Sequence, residues 1–485
     1  MKSGVRTLFL AIMVGVSACV PASNDRAQSL ELIEDTQVTA VVTDLGEGQF
    51  EVEYRFAEPH DVFVFARSQT EYRTEAWRPI DTQTPVERVA GMDALIFDRP
   101  VSSARFHVQA RPDLDYAGYA HFTAFSDGGL VLFTGQFELL LAQSRESIEA
   151  MQGDLNQFDG VQPRTGVAVR SLRPMIAHGR SIAEEAVDVS LGGGSFVYIG
   201  DGDIETTPNY AGLIDPGTPD WLKTRFESDM AYLFDRLETG WGYGLDAPAT
   251  LMFAFGGHDH PGFSNKGGVQ GRQLMIRSSG EALREEDPFI HAYLLWFFAH
   301  ETVHLFQNVK GARLAESFDS WIHEGAANAM ANRIMAEQGD SAAAYLQYSF
   351  SNALETCVAS LENGNLQGAE QRGEFDAYYA CGEFVALILD AGTPQGDLYD
   401  IWNRMLDLAV EETEEDTVPE YDRETYLRAA IDLGLDSATA DWIRVLTTYP
   451  LADPRVELIT KLEEMGLNPQ FDDENRLTAI TYPDA

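Results

Sequence analysis

Basic residues are scarce in this chain. Its 485 residues carry 34 Lys and Arg against 77 Asp and Glu, a formal net charge of −43 at pH 7. Nucleic-acid binding draws most of its affinity from cations set against phosphates, so the deficit argues for no nucleic acid partner. It argues equally against docking on anionic lipid through a basic patch. Acidity of this degree fits a soluble, self-repelling surface. Long apolar runs are missing too: no segment reaches the ~18 unbroken apolar residues that a membrane-crossing helix needs. Cysteine occurs three times. What remains is ordinary globular material, 45% hydrophobic and 23% charged. Aromatics at 11% exclude a disordered chain, which lacks the apolar groups to offset its entropy. The length suggests about two to four domains.

The first residues carry an export pattern. Lys2 and Arg6 precede an apolar run from Leu8 to Val16 that is too short to span a bilayer, which reads as a signal peptide. The run ends in Val16-Ser17-Ala18-Cys19, which resembles a bacterial lipobox. That resemblance implies a signal peptide over 1–18, a lipid on Cys19, and a chain held to the membrane through that N-terminal lipid, on the periplasmic face or the cell surface. The alternative is a secreted protein cut near Ala18 or Ala22, with Cys19 incidental. Residues 19–29 read as a polar tether. Cys357 and Cys381 are then an even pair in an oxidising compartment, and a disulfide between them is expected.

The next stretch, 30–140, is β in character. Phe50, Val52, Tyr54 and Phe56 alternate with Glu51, Glu53 and Arg55, the period of a half-buried strand. Further strands are expected over 62–66, 106–110, 117–125 and 130–133, with a hairpin turn at Ser126-Asp127-Gly128-Gly129. Several short strands with turns between them suggest a β-sandwich. No repeat or catalytic cluster is visible there, and His60, His107 and His121 read as surface or core residues. A helix is expected over 138–152, then a weakly patterned connection. Strands at 196–199, 250–255 and 272–277 and a helix from Asp220, closed by Gly240, suggest an α/β domain. Beyond Asp287 nearly everything reads as helix.

That helical part opens with Asp287-Pro288, a capping acid followed by a proline where no N–H is needed. Within it lies His300-Glu301-Thr302-Val303-His304. A spacing of four puts both imidazoles on one face, one turn apart, so both can reach one ion. Glu301 projects to the side, where it can polarise a water at the metal while leaving the coordination sphere to others. The flanking residues Leu294, Leu295, Trp296, Phe297 and Phe298 are strongly apolar. Two histidines and a glutamate buried there without a partner would be costly, and a metal removes that cost.

A third donor follows in Trp321-Ile322-His323-Glu324-Gly325-Ala326-Ala327. H-E-x-x-H with W-x-x-E-G-x-A on a second helix resembles the gluzincin metallopeptidases, most closely the aminopeptidase N and glycyl aminopeptidase branches. The resemblance implies Zn2+ held by His300, His304 and Glu324, with Glu301 as general base. Two imidazoles and one carboxylate leave a fourth position open, as a catalytic zinc site requires. Gly325 would let two helices pack closely. One departure concerns spacing: residues 305–323 separate His304 from Glu324, one more than the aminopeptidase N pattern usually leaves. His323 therefore stands at the family spacing and is the alternative ligand.

The resemblance also implies an oxyanion donor from a Y-x-x-G pattern. Tyr379-Ala380-Cys381-Gly382 supplies it, with Tyr379 as the donor and Tyr378 as the alternative. Relatives pair substrate backbone with an edge strand near Gly267-Gly268-Val269-Gln270-Gly271, and true aminopeptidases place there a Glu that holds the free amine. This sequence has no acid between Gly262 and Ser279, so cleavage of internal bonds, or of substrates with a blocked amine, is expected. The two histidines of His258-Asp259-His260 read as part of an exposed loop. The fold expected is α+β multidomain: an N-terminal β-sandwich, a thermolysin-like zincin catalytic domain over 190–395 and a C-terminal helical region over 396–485. The expected function is a zinc metallopeptidase of the bacterial cell envelope acting on peptide or protein substrates. Its rivals are a non-catalytic zinc-binding envelope lipoprotein and a zinc hydrolase of non-peptide bonds.

Overall fold

A computed structural model describes residues 33–481 apart from 69, 114–118, 191–192 and 415–416. The signal segment, Cys19 and the tether lie outside the described residues. None of the described helices is long and apolar enough to cross a membrane.

Strands β1 (Val38–Gly46), β2 (Gln49–Phe65), β3 (Trp77–Pro79), β4 (Glu87–Val89), β5 (Met92–Gln109), β6 (Phe122–Ala124), β7 (Leu130–Phe133), β8 (Leu139–Leu141), β9 (Thr165–Arg170), β10 (Met175–Ala177), β11 (Arg180–Ile182), β12 (Glu185–Ser190) and β13 (Phe196–Ile199) build the N-terminal unit, with short helices α1 (Tyr72–Ala76) and α2 (Arg145–Met151). They form two sheets. One follows the order β12-β9-β1-β2-β5-β3, with β4 on β5 and β8 on β2; the other follows β11-β10-β13-β7-β6. The alternation in β2 does what its period requires. Phe50, Val52, Tyr54 and Phe56 are buried and share a core with Phe122, Leu132 and Val197 of the second sheet.

The sandwich does not stop near residue 140. β9 pairs in parallel with β1, Val38 opposite Thr165 through Thr43 opposite Arg170. β13, expected to open the catalytic domain, pairs with β7. The unit therefore runs through Ile199. A parallel partner lies a long crossover away, so local patterning does not reveal it. The helix expected over 138–152 is also shortened. Leu139–Leu141 zips onto β2, and the helix waits for Ser144, whose side chain accepts from the Ser147 N–H.

The second unit has a five-stranded sheet in the order β14 (Glu205–Thr206), β15 (Tyr210–Ile214), β16 (Ala249–Phe255), β18 (Gln273–Ser279), β17 (Ser264–Gln270). β15, β16 and β18 are parallel, and β17 returns antiparallel as the edge. Helix α3 (Asp220–Trp241) buries Leu222, Phe226, Met230, Leu233 and Leu237. It passes Gly240 and ends at Gly242, where φ is 77°. Gly240 instead admits the Tyr399 ring, which a Cβ there would meet at 2.7 Å.

Four further helices complete the unit: α4 (Pro288–Gln307), α5 (Trp321–Ala336), α6 (Asp340–Asn363) and α7 (Asp376–Gly392). α5 and α7 cross at bare backbone. A Cβ on Gly325 would lie 2.0 Å from the Gly382 carbonyl carbon, and one on Gly382 would lie 2.2 Å from the Trp321 oxygen. The close packing expected of Gly325 is therefore made with α7. Beside the crossing, Cys381 is disulfide-bonded to Cys357 of α6.

The C-terminal region contains α8 (Leu398–Glu411), α9 (Arg423–Asp432), α10 (Ser437–Thr448) and α11 (Pro454–Glu464). It is not wholly helical, because the chain closes with a hairpin of β21 (Asn468–Phe471) and β22 (Leu477–Thr481). Nor does packing follow the boundary at 395/396: Tyr399 and Trp402 stand 5.8 and 6.3 Å, ring centre to ring centre, from Trp241 of α3. β19 (Arg313–Leu314), after α4, pairs with β20 (Glu420–Tyr421), before α9.

Candidate active site

α4 begins as its sequence dictates. The Asp287 carboxylate accepts from the N–H groups of Phe289 and Ile290, and Pro288 takes the first helical position. Gln307 is the last helical residue, with Asn308 as its cap, and Gly311 makes the turn beyond at a φ of 66°. Four turns in from the start, the helix buries His300 and Glu301 and half-buries His304.

Three donor atoms converge there. His300 Nε2 and His304 Nε2 are 3.1 Å apart, and Glu324 Oε2 from the first turn of α5 is 3.3 and 3.2 Å from them. Among the described residues this is the one group of three side chains placed to share a metal ion. Donors at about 2.0–2.1 Å on a tetrahedral zinc stand about 3.3–3.4 Å from one another, so the triangle fits that ion. The tautomer fits as well. His304 Nδ1 donates to Gln307 Oε1 at 2.7 Å, which leaves Nε2 to face its partners with a lone pair. Gln307 is itself pinned, donating to the His323 carbonyl at 3.1 Å.

Charge follows the same geometry. Burial alone would raise the Glu324 carboxyl, but the His304 and His323 imidazoles beside it hold it well below the usual carboxylate range. Burial lowers His304, and the Glu324 and Glu301 carboxylates override it, lifting the imidazole to about 9. Burial raises Glu301 against the opposing effect of the two histidines.

His323, at the family spacing, stays outside the triangle. Its Nε2 meets the other oxygen of Glu324, Oε1, at 3.3 Å. Tyr379 and Tyr378 separate cleanly. Tyr379, 38% exposed, lines the cleft with its ring 5.9 Å from that of His300. Desolvation and the nearby Glu324 and Glu301 push its phenol up, so it remains a protonated donor. Tyr378 is buried, and its hydroxyl accepts from the Glu370 N–H.

A cavity of about 450 Å3 is lined by His300, Glu301, His304, His323, Glu324 and Tyr379. β17 forms one wall, close enough that a Cβ on Gly267 would lie 3.2 Å from Glu301 Oε1. Tyr119 from the sandwich and Tyr421 from β20 form others. The sequence showed neither, since each reaches the site from a distant element. Gln307 was visible in principle, three residues after His304 on the same helix. Among the described residues lining the cavity, Glu301 and Glu324 are the sole carboxylates. His258 and His260 lie in the partly exposed loop between β16 and β17, hydrogen-bonded to the Gly280 carbonyl and the Ser279 hydroxyl, each at 2.9 Å.

No family model matches the chain, and no curated protein matches it in sequence. Solved structures match it in fold. The aminopeptidase N family protein of Idiomarina loihiensis is 14% identical over 90% of this chain and 80% of that one, with a TM-score of 0.59. Yeast LTA4 hydrolase is 11% identical over 90% and 73%, with a TM-score of 0.50. The chain therefore shares the multidomain α+β architecture of the aminopeptidase N family protein: sheet domain first, α/β unit next, helices last.

Proposed function

We propose that this protein is a zinc metallopeptidase that hydrolyses peptide bonds by an activated water. The observation that carries the reading is the buried triangle of His300 Nε2, His304 Nε2 and Glu324 Oε2 with the Glu301 carboxylate beside it. Zinc bound there would act as a Lewis acid toward the substrate carbonyl and acidify a water. The protein supplies the rest. Glu301 takes the proton from the attacking water and returns it to the leaving amine. The Tyr379 phenol donates to the carbonyl oxygen as negative charge grows on it. β17 offers its free edge to an extended backbone, which favours a peptide over a non-peptide substrate. A purely structural metal would have no use for Glu301.

The reading includes export and attachment of the chain to the cell envelope by a lipid on Cys19. It rests on the pattern of residues 1–19, and the mass of the N-terminal peptide from membrane extracts tests it. For the chemistry, zinc-loaded protein is incubated with a mixed peptide library and the products are sequenced. Glu301→Gln should keep its zinc and fold and lose turnover by at least ~10²-fold. Equal turnover in the two proteins refutes the role of Glu301.

A further inference from the structure

The direction of a bound peptide can be worked out from β17. The turn between β17 and β18 is Gly271-Arg272, flanked by the facing pair Gln270 and Gln273. In a two-residue hairpin that pair exchanges its backbone hydrogen bonds, and the pattern then alternates along the strand. Gln270 and Gly268 therefore bond to β18, while Val269, Gly267 and Asn265 turn their N–H and C=O groups outward. One contact supports this register: the Tyr119 hydroxyl donates to the outward Val269 carbonyl at 3.0 Å. Of these, Gly267 stands against Glu301, whose Oε1 a Cβ there would meet at 3.2 Å. A peptide added antiparallel, the slightly more stable pairing, crosses the metal triangle beside Gly267. Its N-terminal side then runs toward Gln270.

A second cavity opens at that end, about 570 Å3 in volume. It adjoins the first, since Asn308 lines both, Val269 and Gln270 divide between them, and so do Ala312 and Gly311. Asp246, Ala247 and Arg272 also line it. A volume in the ~300–1,000 Å3 range takes a drug-sized ligand, on the order of two or three residues. An enzyme that removes N-terminal residues must end its site here with a carboxylate for the substrate ammonium, because that charge unpaired in a dry site is costly. The residue at the junction is Gln270. Of the cavity's acids, Asp188 already accepts from the Thr134 hydroxyl at 2.6 Å, and Asp246 is exposed to solvent.

We propose that this second cavity is the subsite for residues on the N-terminal side of the cleaved bond, so that the substrates are internal segments of peptides or chains with blocked amines. The inference rests on the peptidase reading and fixes its substrate class. Two series of acetylated peptides with one scissile pair test it on the zinc-loaded full chain, one lengthened on the N-terminal side and one on the C-terminal side. Adding second and third N-terminal residues should raise kcat/KM at least about tenfold, and Ala247→Trp should lower the long-to-short ratio by a similar factor. A flat N-terminal series, or stepwise trimming of free-amine peptides alone, overturns the proposal and leaves the peptidase reading standing. If neither series is cut with zinc in place, the peptidase reading fails. Titration of the same peptides into zinc-loaded Glu301→Gln then decides the cavity separately: affinity independent of N-terminal length refutes the subsite, and affinity rising with length supports it.

Discussion

Each unit of this molecule buries a cluster of charged groups, and the two clusters are built on opposite principles. In the sandwich, Arg73 of α1 is 1% exposed and Asp93 of β5 is fully buried. Arg73 donates to Asp93 Oδ2 at 2.7 Å, to the Arg67 carbonyl at 2.6 Å, and to both the carbonyl and the side chain of Gln136 at 2.7 and 2.8 Å. The other Asp93 oxygen accepts from Arg88 at 2.8 Å. The Arg73 guanidinium also sits 4.1 Å from the centre of the Phe65 ring. Both terminal nitrogens of Arg73 and both oxygens of Asp93 have been turned toward partners within the cluster. In the helical unit, His300, His304 and Glu324 turn their free atoms toward one shared point instead. Burying charge is costly in both places. Mutual satisfaction makes the first cluster a strut between strands, and convergence makes the second a receptor for a cation.

Substitutions that break each cluster should therefore have different consequences. The largest concerns metal. His304→Ala should remove nearly all zinc by elemental analysis, whereas Arg73→Met should keep one zinc per chain. Breaking the strut should appear in denaturant unfolding, since loss of one partner from a buried ion pair costs about 3–5 kcal/mol. Zinc retained in His304→Ala, or lost in Arg73→Met, would erase the distinction. A smaller effect separates the two tyrosines. Tyr379→Phe should lower kcat by about 10²-fold with little change in KM, as for loss of one oxyanion donor. Tyr378→Phe, whose hydroxyl faces the Glu370 N–H, should not.

An effect on stability alone lies one turn behind the site. Glu383 of α7 is buried, and burial lifts its carboxyl to about 8, against the opposing hydrogen bonds from Asn332 at 2.6 Å and Asn328 at 3.4 Å. The folded chain keeps this proton after the unfolded chain has released it. Its contribution to stability is thus full below the ordinary carboxylate range, falls as pH rises toward about 8, and is level above. Over that window the slope approaches about 1.4 kcal/mol per pH unit. Glu383→Gln should flatten it, measured as unfolding midpoints at pH 5, 6.5 and 8. Parallel profiles for the two proteins would show that Glu383 does not carry the slope.

The candidate site was far more legible in the sequence than the fold around it. α4 announces itself through Asp287 and Pro288, and helical geometry places His300 and His304 with no knowledge of the rest. Glu324 could be named from Trp321 and Gly325, though the structure was needed to set His323 aside. The strands that complete the sandwich were hidden for a different reason. β9 falls in the stretch that reads as a weakly patterned connection, and nothing in Thr165–Arg170 says that its partner is β1. Tyr119 and Tyr421 were unreadable on the same ground, since their roles exist only once separate elements meet.

The crossing of Gly325 and Gly382 has a consequence for how this site can change over time. Glu324 directly precedes one glycine, and Tyr379 lies three residues before the other. With no side chain between the helices, the separation of carboxylate and phenol is set by the thickness of two backbones, a length that no exchange of apolar residues alters. The surrounding core can therefore drift through many compositions while this interval stays constant.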